Sequence, residues 1–466
     1  MVRKVIASIL IFMIAGAAVI VWWECSPSRN VYEVDELITG DPSEWPAAEP
    51  TPHGRWNYMS HVVNNAMAVK APALWWRFSA AASDRTAPAA MIDQMLAHHG
   101  VATGMFTGDE CLAGHQPTHG TELCAVVEYA FSLEVLLSVL GDPAFGDHLE
   151  HIIFNALPAT FSPDMWSHQY DQQANQILCT VQDRIWNTNG PDANIYGLQP
   201  NFGCCTANLS QGWPKFASHL WMKTENSGLA ATAYAPCSVK TDIDGIAVQI
   251  EVVTDYPFRE DILVKIQAEK PVRFPLSLRI PAWASSATVQ TPEKENIHPQ
   301  AGSYCVIDRK WEGESEITLT FPMEPRATRR FNNALAIERG PLVYSLKIGE
   351  EWKRVNEDKP LRELPHADWE IFPTTPWNYA LDVNEKTLAG DVVFNEHPMG
   401  KLPFSPQGAP ISATVKGILL SAWTLVNGSA GPLPQSPVKV EGELETLTLV
   451  PYGCTNLRVT EFPTLK

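Results

Sequence analysis

Residues 122–143 read ELCAVVEYAFSLEVLLSVLGDP. From Glu122 to Leu140 this stretch sets Cys124, Val127, Phe131, Val135 and Leu136 at helical spacings, with few breakers. Gly141 suits the end of a helix, and Asp142-Pro143 restarts one with a cap followed by proline at the first position. His148–Leu157 continues that second helix. Two helices joined so tightly should lie antiparallel, as in a helical bundle or helical barrel. The same texture extends outward from about Trp56 to Thr224.

After about Ser227 the period becomes two. Ile246, Val248, Ile250 and Val252 alternate with small or polar residues, as do Ile262, Val264, Ile266 and Ala268. Phe274, Leu276, Leu278 and Ile280 follow, then Ile317, Leu319 and Phe321. Half-buried strands separated by turn-rich segments have the texture of a β-sandwich. Proline-rich stretches at Pro373–Pro376 and Pro403–Pro410 interrupt further strands at Ala413–Leu420 and Leu444–Val450. The predicted class is α+β multidomain, with helices first and antiparallel β-sandwich second. The predicted domains are residues 56–225 (helical), 226–345 (β-sandwich) and 346–466 (a second β-rich domain).

Length and composition bound the rest. The 466 residues contain 45% hydrophobic residues, enough for a large packed core. With Lys+Arg 34 against Asp+Glu 52 the formal charge is −18, which argues against nucleic acid and against a polyanionic substrate. Nine widely spaced cysteines in a chain this long do not resemble a disulfide framework, so free thiols for metal or catalysis are open.

Val5–Trp23 is an uncharged apolar run preceded by Arg3 and Lys4, long enough to cross a hydrocarbon core. Its bulky end (Trp22, Trp23) favours an uncleaved membrane anchor over a cleaved signal peptide or an artefact of gene calling. Basic residues before the run and acidic ones after it place the body outside the cytoplasm. A secreted protein is the alternative, and a cytoplasmic one if the start is spurious. Residues 24–55, rich in proline and polar residues, read as a linker.

Chemistry concentrates in GMFTGDECLAGHQPTHGTELCA (104–125) and NFGCCTANLSQGW (201–213). These offer Glu110, Glu122, Cys124, Cys204 and Cys205, with His115 and His119 nearby. Thiolates favour zinc, whose structural sites are closed by four ligands. Glu122 and Cys124 fall at a helix start, and the vicinal cysteines lie just before another helical stretch, Ala207–Trp221, where thiolate is favoured. Inert buried cysteines and a solvated Glu110 are the bland alternatives. His115 and His119 flank Pro117 in a loop and read as exposed polar residues.

The segments GDE (108–110), GTELC (120–124) and GCC (203–205), with WNYMSHVVNNAM (56–67), resemble the β-L-arabinofuranosidase family, glycoside hydrolase family 127. ERGPLVYSL (338–346) and VPYGCTNLRVTEFP (450–463) extend the resemblance to the C-terminus. It implies an (α/α)6 barrel, here partial because the family's catalytic domain begins well upstream of Trp56, followed by β-sandwich domains. A barrel lacking its first half would expose apolar helix faces, to be covered by a partner or an oligomer. The resemblance also implies Zn2+ held by Glu122, Cys124, Cys204 and Cys205, with Cys204 as nucleophile, Glu110 as acid/base, and sugar contacts from His61 and Tyr170. The implied activity is retaining hydrolysis of an arabinofuranoside-containing or related oligosaccharide. Two other readings are a catalytically inactive truncated homologue that binds carbohydrate or protein, and a zinc site that is purely structural.

Overall fold

The computed structural model describes residues 60–184, 190–198 and 203–465. The expected anchor and linker, residues 1–55, lie outside the described residues. Among the described residues six α-helices come first: α1 Val62–Ala68, α2 Ala71–Ser79, α3 Ala82–His99, α4 Leu123–Leu140, α5 Pro143–Phe154 and α6 Gly203–Ser218. At the centre is α4, packed against α1, α5 and α6. By length and hydropathy it could cross a membrane, yet 67% of it is buried inside the protein, the mark of a core helix. It ends where the sequence says it should. Gly141 takes a left-handed φ of 66° and returns its N–H to Leu137, and the Asp142 carboxylate accepts from Ala144 N–H at 3.0 Å to open α5.

Two boundaries differ from the sequence reading. Helix α5 stops at Phe154 rather than running to Leu157, because Pro158 brings no N–H and disfavours helical geometry in the residue before it; a 3-10 turn over Pro158–Thr160 follows. Helix α6 begins at Gly203, not Ala207, so Cys204 and Cys205 sit inside its first turn instead of ahead of it.

The β half contains two large sheets. In the eight-stranded one, Asp261–Ile280 and Ser303–Thr320 run antiparallel from end to end, and Ile246–Thr254 pairs along the same central strand. Ile262–Ala268 and Phe274–Ile280, separate in the sequence reading, form one 20-residue strand. The break around Pro271 is a bulge in this strand: Glu269–Pro271 stand opposite Glu312 alone, between the pairs of Trp311 and Gly313. One strand, Leu229–Ala231, joins this sheet in parallel. The seven-stranded sheet is antiparallel and runs from Pro325–Arg329 to Glu445–Pro451 and Ile411–Leu419.

Helices and both sheets share one continuous apolar core. Two buried arginines join its parts. Arg279 sends Nε to the Thr232 carbonyl at 2.6 Å and pairs with Asp147 and Glu150 of α5. Arg458 reaches the carbonyls of Gln173 and Thr455 and the Tyr452 hydroxyl. The C-terminal segment is thereby stitched to residues 173–176, immediately after Tyr170 and Asp171. Asn175 alone receives the N–H groups of Thr460 and Glu461 and donates to the Glu461 carbonyl.

Candidate active site

Four two-residue strands collect the site: β1 Gly108–Asp109, β2 Cys111–Leu112, β3 Thr121–Glu122 and β4 Asp171–Gln172, in the order β2-β1-β3-β4. Asp109 pairs with Cys111, leaving Glu110 alone at the tip of a reversal with φ 64°, a left-handed value that non-glycine residues seldom adopt. Gly108 makes the close approach possible, since a Cβ there would meet Val62 Cβ at 2.7 Å. The Glu110 carbonyl accepts from Val62 N–H at 2.7 Å.

Both carboxylate oxygens of Glu110 are held. The Tyr170 hydroxyl donates to Oε1 at 2.8 Å, and His61 Nε2 lies 2.9 Å from Oε2. His61 Nδ1 accepts from Asn64 N–H as the cap of α1, which assigns the ring proton to Nε2 and makes His61 a donor to Glu110. Burial pushes the Tyr170 phenol far above its ordinary value, so it stays a donor.

Helices α4 and α6 bring their N-terminal turns together. Glu122 caps α4, Cys124 is its second residue, and Cys204 and Cys205 occupy the first turn of α6. One ligand atom from each of Glu122, Cys124, Cys204 and Cys205 falls in a cluster with no two farther apart than 4.8 Å; the sulfurs of Cys124 and Cys205 are 3.3 Å apart. A second set, His61, Glu110 and Glu122, meets the same limit and shares Glu122 with the first. Glu122, Cys124 and Cys205 are buried, whereas Cys204 is exposed.

Charge is shared unevenly among the thiols. Hydrogen bonds from Cys124 and then Cys205 hold Cys204 down at about 3, while the bond to Cys204 pushes Cys124 well above the ordinary range and burial pushes Cys205 up. One thiolate is thereby concentrated on Cys204. Burial, followed by the nearby Glu110 and Asp109 carboxyls, lifts Glu122 well above the usual carboxylate range, and its buried Oε2 has no hydrogen-bond partner among the described residues. An unpaired buried carboxylate oxygen beside three sulfurs fits a divalent cation: the donor set suits zinc, and a cation would reverse the upward shifts.

The catalytic-domain model of the β-L-arabinofuranosidases of glycoside hydrolase family 127 matches residues 57–218, and the middle-domain model of the same family matches residues 228–323. The chain belongs to glycoside hydrolase family 127. A family 127 β-L-arabinofuranosidase from Geobacillus stearothermophilus T6 is similar in structure, with a TM-score of 0.62 at 19% identity over 86% of this chain and 59% of that one. A family 127 β-arabinofuranosidase has a TM-score of 0.62 at 18% identity, over 87% and 60% of the two chains. A structure described as a glycoside hydrolase has a TM-score of 0.60 at 15% identity, over 94% and 75%. The chain thus spans less than two thirds of the length of the first two family 127 relatives, and at these identities the likeness shows the fold. No protein with a curated description matches the chain.

All seven residues that the family 127 resemblance singles out converge here. His61 and Tyr170, expected as sugar contacts, are seen on Glu110. His115 and His119 are not in the cluster; His115 stacks on Phe331 and His119 bonds to the Ala113 carbonyl, both half-buried. Sequence reasoning missed the buried polar groups behind the site. His168 donates from Nδ1 to the Gln169 carbonyl and accepts at Nε2 from the Thr206 hydroxyl, 2.9 Å away in the first turn of α6. Asp171 lies opposite Glu122 across β3 and β4, and burial, with Asp109 and Glu122 nearby, pushes its carboxyl well above the usual range. The signal for Asp171 was an acidic residue directly after Tyr170; for His168 there was none.

Proposed function

We propose that the chain is a retaining glycoside hydrolase of the β-L-arabinofuranosidase type, with Cys204 as nucleophile and Glu110 as acid/base. The observation that carries this reading is that Cys204 alone of the four clustered side chains is open to solvent, while carrying the thiolate, in a cluster that adjoins a doubly held glutamate. Glu122, Cys124, Cys204 and Cys205 are the residues that would hold zinc. When bound there, zinc supplies the positive charge that keeps sulfur deprotonated.

The Cys204 sulfur attacks the anomeric carbon, forming a C–S bond as the C–O bond breaks, while Glu110 gives its proton to the departing oxygen. Glu110 then takes a proton from water, whose oxygen displaces the sulfur and returns Cys204 as thiolate. His61 and Tyr170 aim the Glu110 carboxyl, and the Tyr170 hydroxyl can turn from donor to acceptor when Glu110 carries the proton.

The test combines metal analysis of the purified protein with release of nitrophenol from a β-L-arabinofuranoside. Zinc near one equivalent with release, and loss of release by at least about a thousand-fold in Cys204→Ser with an unchanged fold, is the expected outcome. Wild-type rates in Cys204→Ser remove Cys204 as nucleophile, and inversion at the anomeric centre rules out the two-step scheme.

A second reading is a binding module without turnover. It is supported by the apolar side chains that α1 and α2 leave exposed, Met67, Leu74, Trp75 and Phe78, the last at 83%. Zinc without release from any glycoside favours it.

A further inference from the structure

A concave site is lined by residues outside the sulfur cluster. The loop Ser162–Ser167 faces the antiparallel hairpin Glu350–Val355/Asp368–Pro373 across a cleft of about 290 Å³, lined by Ser162, Pro163, Asp164, Ser167, Trp352 and Trp369. Its two indoles, both half-exposed, stand 6.3 Å apart at 70° and form a corner. The corner is rigid. Trp352 is backed by Tyr196 at 5.3 Å and ties its ring N–H to Glu350 at 3.0 Å, while Trp369 exchanges both backbone hydrogen bonds with Tyr196. The polar wall is equally fixed: Asp164 Oδ1 accepts from the Ser162 hydroxyl at 2.6 Å and from Trp166 N–H at 3.1 Å. Asp164 Oδ2 makes no hydrogen bond among the described residues.

We propose that this cleft is an anchoring subsite for a neutral sugar unit of the glycan other than the one whose bond is cut; the proposal rests on the glycoside hydrolase reading above. A sugar offers an apolar C–H face for an indole and a rim of hydroxyls for the exposed Asp164 carboxylate, which the buried Ser162 and Ser167 hold in place, and the cleft supplies both in room for about one ring. The carboxylate and the net charge of −18 disfavour an anionic ligand. The cleft and the candidate active site share one segment. Ser162 N–H bonds to the Ser167 carbonyl, His168 pairs with both Phe161 and Gly197, and side chains alternate along this extended stretch. His168 and Tyr170 therefore face the cluster while Ser167 faces the cleft, within ~10 Å of chain from Tyr170. A glycan held here lies along the rim of the site rather than in it.

The test compares a short and a long substrate on the full chain: nitrophenyl β-L-arabinofuranoside and arabinofuranosyl oligosaccharides of increasing length. Trp369→Leu and Asp164→Asn should each lower kcat/KM about ten-fold on the long substrates while leaving the nitrophenyl glycoside within about two-fold. Equal loss on both substrates, or none on either, overturns the proposal. If no glycoside is cleaved, the enzymatic reading fails separately, and tryptophan fluorescence titration with the same oligosaccharides decides the cleft. Saturable change that both variants weaken supports it. Absence of saturation, or a preference for choline (which an acidic two-indole corner could also cradle), overturns it.

Discussion

Glu110 shows what a single residue costs and gains at this site. A glutamate with φ 64° at a one-residue reversal is strained, and the surroundings over-determine it: Val62 holds its carbonyl, and Tyr170 and His61 hold its two oxygens. Tyr170→Phe keeps the buried ring and removes one of the two side-chain anchors. We expect kcat on the nitrophenyl arabinofuranoside to fall roughly ten-fold with KM within about two-fold, because the acid is misaimed rather than the substrate released. A steady-state comparison with thermal melts checks it, and a loss confined to KM would show that Tyr170 acts on the sugar instead. Residue by residue, the site was legible wherever a family motif carried it, as with GDE, GTELC and GCC. Composition alone left Cys204 and Cys205 open between metal ligands and inert hydrophobes, and only the 80-residue closure that joins α6 to α4 decides where they sit. His168 was illegible because a buried polar residue in a loop has no periodicity and its partner, Thr206, is distant in sequence; Asp171 offered only its place after Tyr170, since Glu122, opposite it, is equally distant.

At the scale of elements, the N-terminal turns of α4 and α6 carry the ligands while His219 and Glu134 tie the two helices farther along. His219, just past α6, has its Nδ1 2.8 Å from the Lys215 carbonyl and 2.7 Å from the buried Glu134 carboxylate of α4, and that carboxylate raises the imidazole above its ordinary value. Burial raises Glu134 as well, so the charged pair exists only above the raised Glu134 value and below the raised His219 value. Lys215 and the Phe131 ring also face the imidazole, the lysine opposing its charge. A histidine raised in the fold adds stability that is full below its unfolded value near ~6.5 and is lost as pH rises through the folded one. His219→Gln should therefore lower Tm more at about pH 6 than at about pH 9, where the wild-type advantage has gone. A gap that grows with pH would contradict the assignment. The ends of α4 and the start of α5 were readable because Gly141, Asp142 and Pro143 act locally. The merged strand Asp261–Ile280 was not, because the chain bulges at Glu269–Pro271 and its continuity there depends on pairing with Ser303–Thr320, distant in sequence.

For the molecule as a whole, the last residues of the chain help to build the first catalytic-domain segments. Asn175, Arg458 and Glu461 close contacts across more than 280 residues of sequence. Glu461 is the pressure point of this closure. It is 1% exposed and accepts from Ala102 N–H at 2.9 Å, but its other oxygen has no hydrogen-bond partner among the described residues. Burial raises its carboxyl to about 7, against the opposing pull of Arg330 and the Ala102 N–H. An acid raised in the fold binds protons more readily folded than unfolded, so the native state loses stability as pH climbs from the unfolded value near ~4.3 to about 7 and then stays flat. Glu461→Gln keeps the acceptor for Ala102 and removes the ionisation. Its Tm should match the wild type near about pH 5 and exceed it near about pH 8, because an unpaired buried charge costs more than an unpaired amide. Urea melts at the two pH values give the same comparison as a free energy. If the two proteins lose stability in parallel between those values, Glu461 is not the group that loosens the clamp, and the C-terminal segment holds the site independently of its charge.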